Sequence, residues 1–207
     1  MDKLPFHGVC QKGNVSVVQV LLKDPRVDVT PDDDWGRTPL WSASLKGKHE
    51  VIEWLIASGR DLGDVMNKIG ENWDGEDFTA LEIARKENEG EAVTVLENFL
   101  ANPAPTRYEL RVKLGVLDEL AAEVFALTVF LCDDLLQLKP PLVSSKPTAA
   151  TAAAVRFFAI TKRLPMELQM LLCHRVVASS KQNILHRDSE PAFKSLARIL
   201  LLPSKPQ

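Results

Sequence analysis

Apolar residues recur at helical spacing in the stretch from Asp34 to Asp61. Val51, Ile52, Leu55 and Ile56 follow one another at positions i, i+1, i+4 and i+5. This spacing places them on one face of an amphipathic helix. A shorter helix precedes it, with Thr38 as N-cap and Pro39 at the first helical position. The stretch is therefore predicted to be one helix–turn–helix unit.

Two weaker copies of this unit flank it. The three copies span residues 4–22, 38–56 and 79–100. Gly13 and Gly47 are 34 residues apart, whereas Thr38 and Thr79 are 41 apart, so the second interval contains an insertion. Three such units are about the minimum for a stable stack.

The second half of the chain has helical periodicity but no repeat. Residues 101–105 form a boundary, and Thr106 with Glu109 fits a capping box. The later predicted helices cover 106–138 with a break at Gly115, 149–162, 166–181, and a last segment that begins at Asp188 or Ser189. The composition of residues 139–148 predicts a linker.

We therefore predict an all-α fold with two domains. Residues 1–103 form a stack of three repeats, and residues 104–207 form a helical region of four or five helices. Because a stack needs a polar cap at its open end, residues 106–138 are expected to cover the third repeat. A chain cut after residue 103 is therefore expected to be insoluble.

The central unit resembles an ankyrin repeat. The positions that match the family pattern are Gly36, Thr38, Pro39, Leu40, Ala43, Gly47 and the run from Val51 to Ile56. Trp41 stands where the family usually has histidine, and Ala80 replaces the proline of the third copy. The resemblance covers about residues 2–100. It implies non-enzymatic recognition of a partner protein or peptide, through finger-like turns and the concave face of the first helices.

The predicted fingers, residues 24–37 and 59–78, are acidic and carry one tryptophan each. Because tryptophan and arginine dominate interface hot spots, Trp35 and Trp73 are expected anchors. The alternative is that each packs on its own finger, as Trp41 and Trp54 are expected to pack in the core. The expected partner-binding residues are Asp33, Asp34, Trp35, Arg37, Ser42, Leu45, Asn72, Trp73, Asp74 and Glu76.

The net charge of −3 is unevenly distributed. Residues 1–103 carry 11 basic and 19 acidic side chains, and residues 104–207 carry 14 and 9. The acidic fingers therefore favour a basic partner and disfavour nucleic acid. The basic cluster of the second half has no alternating aromatic residues, so it does not indicate nucleic acid binding either. Its members are Arg156, Lys162, Arg163, Arg175, Lys181 and Arg187.

No motif indicates catalysis, a cofactor or a metal site. Cys173 and His174 are neighbours on a predicted helix, so their side chains diverge, and we expect a buried cysteine beside a surface histidine. Aligning Gly75 with the glycine of a calcium loop places Gly70 and Leu81 where carboxylates are needed, which excludes an EF-hand. The three cysteines are widely spaced and predict reduced thiols. A competing hypothesis, an enzyme in the helical half, requires a polar pocket there.

The segment Leu164–Leu168 (LPMEL) resembles the start of F-box-like helices, which dock a subunit of ubiquitin ligases. This resemblance implies an alternative function as a substrate adaptor, with Leu164, Pro165, Glu167 and Leu168 as contacts. The competing interpretation is an ordinary helix N-terminus.

The N-terminus lacks the apolar core of a signal peptide. The most apolar run, residues 121–132, is shorter than the roughly 20 residues that cross a bilayer. We expect a monomeric protein without a membrane partner, in the cytoplasm or alternatively in the nucleus.

Overall fold

The structure is a computed structural model that describes residues 5–136 and 149–201. The predicted linker at 139–148 lies outside these ranges. Two compact units are found, Met1–Leu114 and Gly115–Gln207. The described elements are α1 (Pro5–Lys12), α2 (Val15–Lys23), α3 (Pro39–Leu45), α4 (His49–Ser58), β1 (Ile69–Glu71), β2 (Asp77–Thr79), α5 (Ala80–Lys86), α6 (Gly90–Ala101), α7 (Pro103–Lys113), α8 (Val116–Cys132), α9 (Ala149–Thr161), α10 (Met166–Val176) and α11 (His186–Leu201).

Three helix pairs stack in the first unit. The first helices contact one another along the stack, α1 with α3 and α3 with α5, and the second helices do the same, α2 with α4 and α4 with α6. The predicted repeat stack is thereby confirmed. The two short strands form a hairpin between the second and third pairs.

Each helix pair turns through one residue with a left-handed backbone. These residues are Gly13, Gly47 and Asn88, with φ of 76°, 58° and 59°. The hydrogen bonds that close the turns join the N–H of Asn14 to Val9 O, of Lys48 to Ala43 O, and of Glu89 to Ala84 O. Asparagine tolerates this conformation better than most residues that carry a side chain. The third copy therefore keeps the turn without the glycine of the other two.

The core of the first unit lies between the first and second helices. The predicted apolar stripe of α4, including Ile52 and Leu55, is fully buried. Trp41 is buried too, and its Nε1–H donates to Phe78 O at 2.8 Å. Trp54, which was expected in the core, is only half-buried.

Threonines begin the first helices of the second and third pairs. Thr38 Oγ1 accepts from the N–H of Trp41 at 3.1 Å, as predicted. Thr79 forms a complete capping box with Glu82. Its Oγ1 accepts from Glu82 N at 3.3 Å, and its own N–H donates to Glu82 Oε2 at 2.8 Å.

The capping box predicted at Thr106 is wrong. Helix α7 begins at Pro103, because proline is well tolerated in the first turn of a helix. Thr106 consequently lies inside α7, where its hydroxyl donates to Asn98 O at 2.9 Å. Helix α7 contacts α4 and α6, so it lies against the second helices of the last two pairs.

Three basic side chains of α7 bind α4. Arg107 Nε donates to Ile56 O at 3.2 Å and Arg111 Nε donates to Ala57 O at 2.7 Å. Lys113 Nζ lies 2.6 Å from Oε1 of Glu53, whose side chain is buried. Helix α7 therefore satisfies the last carbonyls of α4 and a buried carboxylate.

The second unit is built around α8, against which α10 and α11 pack. Phe193 of α11 lies 6.1 Å from Phe125 and 5.9 Å from Phe130, between ring centroids. The last two predicted helix boundaries were wrong: α10 ends at Val176, before Ala178 with φ of 62°, and α11 begins already at His186.

The spacing of Leu168, Leu171, Leu172 and Val176 predicts that these residues form the buried stripe of α10, but the structure buries a different face. Leu168 and Val176 are exposed, whereas Gln169, Cys173 and His174 are buried. Cys173 Sγ lies 3.9 Å from the Thr128 hydroxyl of α8, which fixes the rotation of the helix. The expected surface position of His174 was therefore wrong. The expected burial of Cys173 was right.

Candidate finger site

The insertion in the second finger forms the hairpin. Strand β1 pairs antiparallel with β2, with Ile69 opposite Thr79 and Glu71 opposite Asp77. Asn72 holds the connecting turn, because its Oδ1 accepts from the N–H groups of Asp74 and Glu76, both at 2.9 Å. The segment that resembles part of a calcium loop is thus an Asx-type turn, which presents the side chain of Trp73.

The first finger contains the same kind of turn, held by side-chain hydrogen bonds to backbone N–H groups. Asp33 Oδ1 accepts from the N–H of Trp35 at 3.0 Å and from the N–H of Arg37 at 2.9 Å. The N–H of Gly36 donates to Asp33 O at 3.0 Å. Each tryptophan therefore follows a residue that fixes the turn with its own side chain.

The two fingers are joined side by side. The N–H of Glu71 donates to Trp35 O at 2.9 Å, and Arg37 Nε donates to Glu71 O at 2.6 Å. The backbones approach closely here, since a Cβ atom on Gly70 would lie 3.0 Å from Arg37 Cα. Only glycine fits this position without displacing the neighbouring chain.

Trp35, Arg37 and Trp73 form a compact group that we call the tryptophan cluster. The indole centroids of Trp35 and Trp73 are 6.3 Å apart. The Arg37 guanidinium lies 4.7 Å from the first ring, 4.5 Å from the second and 5.2 Å from the buried Trp41. Cation–π contacts with three rings hold this buried charge. Trp35 and Trp73 remain 48% and 68% exposed, although Arg37 is only 4% exposed.

His7 supports the cluster from the first repeat. Its Nε2 lies 2.8 Å from Arg37 O, so Nε2 carries the hydrogen that this carbonyl accepts. His7 is buried, and its contact spans 30 residues of sequence. No local pattern in the sequence indicated that His7 belongs to the site.

The expected partner-binding residues divide by exposure. Those at the surface are Asp34, Trp35, Trp73, Asp74 and Glu76, with Asp33 half-buried. Arg37, Ser42, Leu45 and Asn72 are buried. Because α3 is buried along its whole length, Ser42 and Leu45 offer no concave surface. Arg37 and Asn72 make hydrogen bonds within the fingers, to Glu71 O and from the N–H groups of Asp74 and Glu76.

Two lysines partly neutralise the acidic fingers. A hydrogen bond from Lys68 lowers the pKa of Asp32, and one from Lys86 lowers the pKa of Glu76. The second lysine also lies 3.8 Å from Asp74. Asp34, Glu71 and Asp77 make no ion pair with a described residue. The finger surface is therefore anionic at neutral pH.

The residues of the LPMEL segment lie at the start of α10, with Pro165 as N-cap. Leu164 is half-buried, and Pro165, Glu167 and Leu168 are exposed. They are adjacent along the chain and present a short stretch of surface that includes the exposed Met166.

No catalytic arrangement is visible in the described part of the chain. Burial raises the pKa of the Cys10 thiol to about 12 and that of Cys173 to about 11, so neither thiol ionises readily. No group of three metal-ligating side chains comes together within residues 5–136 and 149–201. Within the same ranges, no helix has the length and apolar character needed to cross a membrane.

Comparison with known proteins agrees with the repeat geometry. A family profile described as "Ankyrin repeats (3 copies)" matches residues 6–103. Ankyrin repeat domain-containing protein 29 of Danio rerio is 42% identical over 52 residues, which are 25% of this chain and 17% of that protein. The 26S proteasome non-ATPase regulatory subunit 10 of Dictyostelium discoideum is 33% identical over 60 residues, 29% and 26% of the two chains.

These matches cover only about a quarter or less of each relative. No solved structure matches the chain. Three equivalent helix pairs, the left-handed turns between their helices and the family profile all fall within one segment. Residues 6–103 thus form three ankyrin repeats, which indicate a protein–protein interaction module.

Proposed function

We propose that this chain is a non-enzymatic recognition module that binds a basic segment of a partner protein on its finger surface. The observation that carries the proposal is the tryptophan cluster, in which two largely exposed indoles are held 6.3 Å apart by a buried arginine. Exposed tryptophans at fixed positions are characteristic of interface anchors, because they bury a large area with little loss of conformational entropy.

Further apolar surface lies on the second finger. Met66 and Ile69 are 64% and 49% exposed. An apolar group of this kind with a polar rim is the usual composition of a protein-binding surface. The rim is acidic, with Asp34, Glu71 and Asp77 free of ion pairs to described residues. Lysine or arginine side chains of a partner complement this charge and accelerate its association.

Affinity capture with the intact protein tests the proposal. We expect a captured partner to bind the Trp35→Ala and Trp73→Ala variants at least about tenfold more weakly, as for hot-spot residues. Binding should also weaken with added salt, because the charges are exposed. Val20→Ala is a matched control, since Val20 is 69% exposed on α2, outside the fingers. Equal dissociation constants for the wild type and both tryptophan variants would contradict the proposal.

The exposed start of α10 favours a second candidate, the substrate adaptor. Met166 and Leu168 are 59% and 46% exposed within the LPMEL segment, where they are accessible to a ubiquitin-ligase subunit. If this candidate is right, such a subunit co-purifies with the wild type and is lost from Leu168→Ala. Val176→Ala on the same helix is the control, with 55% exposure. Retention of the subunit by Leu168→Ala would exclude this contact.

A further inference from the structure

The outer edge of β1 is already hydrogen-bonded to the first finger. Glu71 directs both main-chain groups at the first finger: its N–H donates to Trp35 O at 2.9 Å, and its C=O accepts from Arg37 Nε at 2.6 Å. In an antiparallel ladder, the N–H and C=O of one residue point to the same side. Glu71 therefore does not form ladder hydrogen bonds with its opposite residue, Asp77.

It follows that the main-chain N–H and C=O of Asp77 point away from β1, to the outer edge of β2. Asp77 is exposed, and it makes no further hydrogen bond to the described residues. The next residue of β2 that faces the same side is Thr79, and its N–H already donates to Glu82. Asp77 thus offers one donor and one acceptor to an incoming strand.

The charge around the outer edge of β2 indicates which kind of polypeptide segment can bind there. Asp74, Glu76 and Asp77 are exposed along the strand and its turn, and among residues 5–136 and 149–201 Lys86 is the one cation within ion-pair distance of any of them. A second copy of the chain would bring two acidic edges together, which is unfavourable. An extended segment with alternating basic residues would meet opposite charges instead.

We propose that the outer edge of β2 receives an extended, lysine- or arginine-rich segment of the partner protein as an added strand, hydrogen-bonded to the main chain of Asp77. This inference rests on the proposed function and adds the conformation of the partner to it. Strand addition draws affinity from main-chain hydrogen bonds and selectivity from alternate side chains. The competing explanation is that the acidic residues only protect the edge from association.

The probe is a synthetic peptide of alternating lysine and threonine, titrated calorimetrically into the intact protein at low salt. Two variants separate charge from hydrogen bonding: Asp77→Ala removes the carboxylate, and Asp77→Pro also removes the N–H. The hairpin does not use this N–H, so proline is compatible with the strand. We expect Asp77→Pro to bind the peptide about threefold to tenfold more weakly than Asp77→Ala, as for one lost hydrogen bond.

The same peptide with methylated backbone nitrogens keeps every charge but cannot donate to Asp77 O. We expect its binding to the wild type to fall by at least about threefold, and this test does not depend on the folding of any variant. If the methylated peptide binds as tightly as its parent, strand addition is overturned. The proposed function would still stand in that case if Trp35→Ala and Trp73→Ala no longer bind the peptide. If the parent peptide does not bind at all, strand addition is overturned, whereas the proposed function is decided by the captured partner and the two tryptophan variants.

Discussion

A fragment that ends at Leu114 should unfold in one cooperative transition, whereas a fragment that ends at Pro103 should not fold. The two differ only by most of α7, which lies against α4 and α6. In the shorter fragment, Glu53 loses its partner Lys113, and the part of α4 that α7 covers becomes exposed to water. Exposing one large apolar side chain that was buried costs about 1.5–3 kcal/mol.

Further losses add to this one. Arg107 and Arg111 no longer bind the last carbonyls of α4, and Leu110 no longer covers the apolar side chains beneath it. Small domains have only about 5–15 kcal/mol of stability in total, and three repeats are close to the minimum for a stack. We therefore propose that the first domain extends to residue 114, beyond the boundary expected at 103.

Urea titrations followed by circular dichroism measure this difference. The intact chain carrying Glu53→Gln and Lys113→Met is the control, because this pair of changes removes both charges together. It should be less destabilised than Lys113→Met alone, which strands the carboxylate. A soluble fragment 1–103 that unfolds cooperatively would show that α7 is dispensable.

Local signals explain what the sequence predicted well. The repeats were recognisable because N-caps, turn glycines and apolar spacing act within a few residues of one another. At Asn88, the turn persists without its glycine, since asparagine accepts the same backbone conformation. The error at Thr106 has a local origin too, because two valid helix starts lie three residues apart and the helix uses the earlier one, at Pro103.

The buried face of α10 was harder to predict, because the sequence of this helix is apolar on more than one side. The leucines suggested one face, but α8 contacts the face that carries Cys173. Choosing between two plausible faces needs knowledge of the neighbouring helix. His174, adjacent to Cys173, is therefore buried, and its Nε2–H donates to Asn183 O at 3.0 Å.

The finger site also depends on contacts between residues that are far apart in the sequence. Its exposed residues were predicted, because acidic turns with one tryptophan each are visible in the sequence. The contacts of Arg37 within the fingers were not predicted, because its partners Glu71 and Trp73 lie 34 or more residues away in the sequence. Arginine is frequent in interface hot spots, which suggested direct contact. Because Arg37 is buried and lies against both rings, we propose that it positions the two exposed indoles.

Replacing this arginine should therefore weaken recognition as much as removing a tryptophan does, although no exposed side chain is lost. We expect Arg37→Met to lower the free energy of unfolding by about 2–4 kcal/mol, through loss of a charged hydrogen bond and of cation–π contacts. Arg37→Lys keeps the charge but loses the planar group that spans Trp35 and Trp73, so it should give an intermediate result. Urea denaturation measures the stability of both variants.

Partner binding distinguishes positioning from simple destabilisation. Under conditions where Arg37→Met is still folded, its Trp35 and Trp73 are no longer held together, and the partner should bind as weakly as it does to the tryptophan variants. A core variant of comparable stability, such as Leu96→Ala in the third repeat, should bind normally, because Leu96 is buried in α6, outside the fingers. If folded Arg37→Met also binds normally, the indoles do not depend on the arginine for their binding geometry, and the positioning role is wrong.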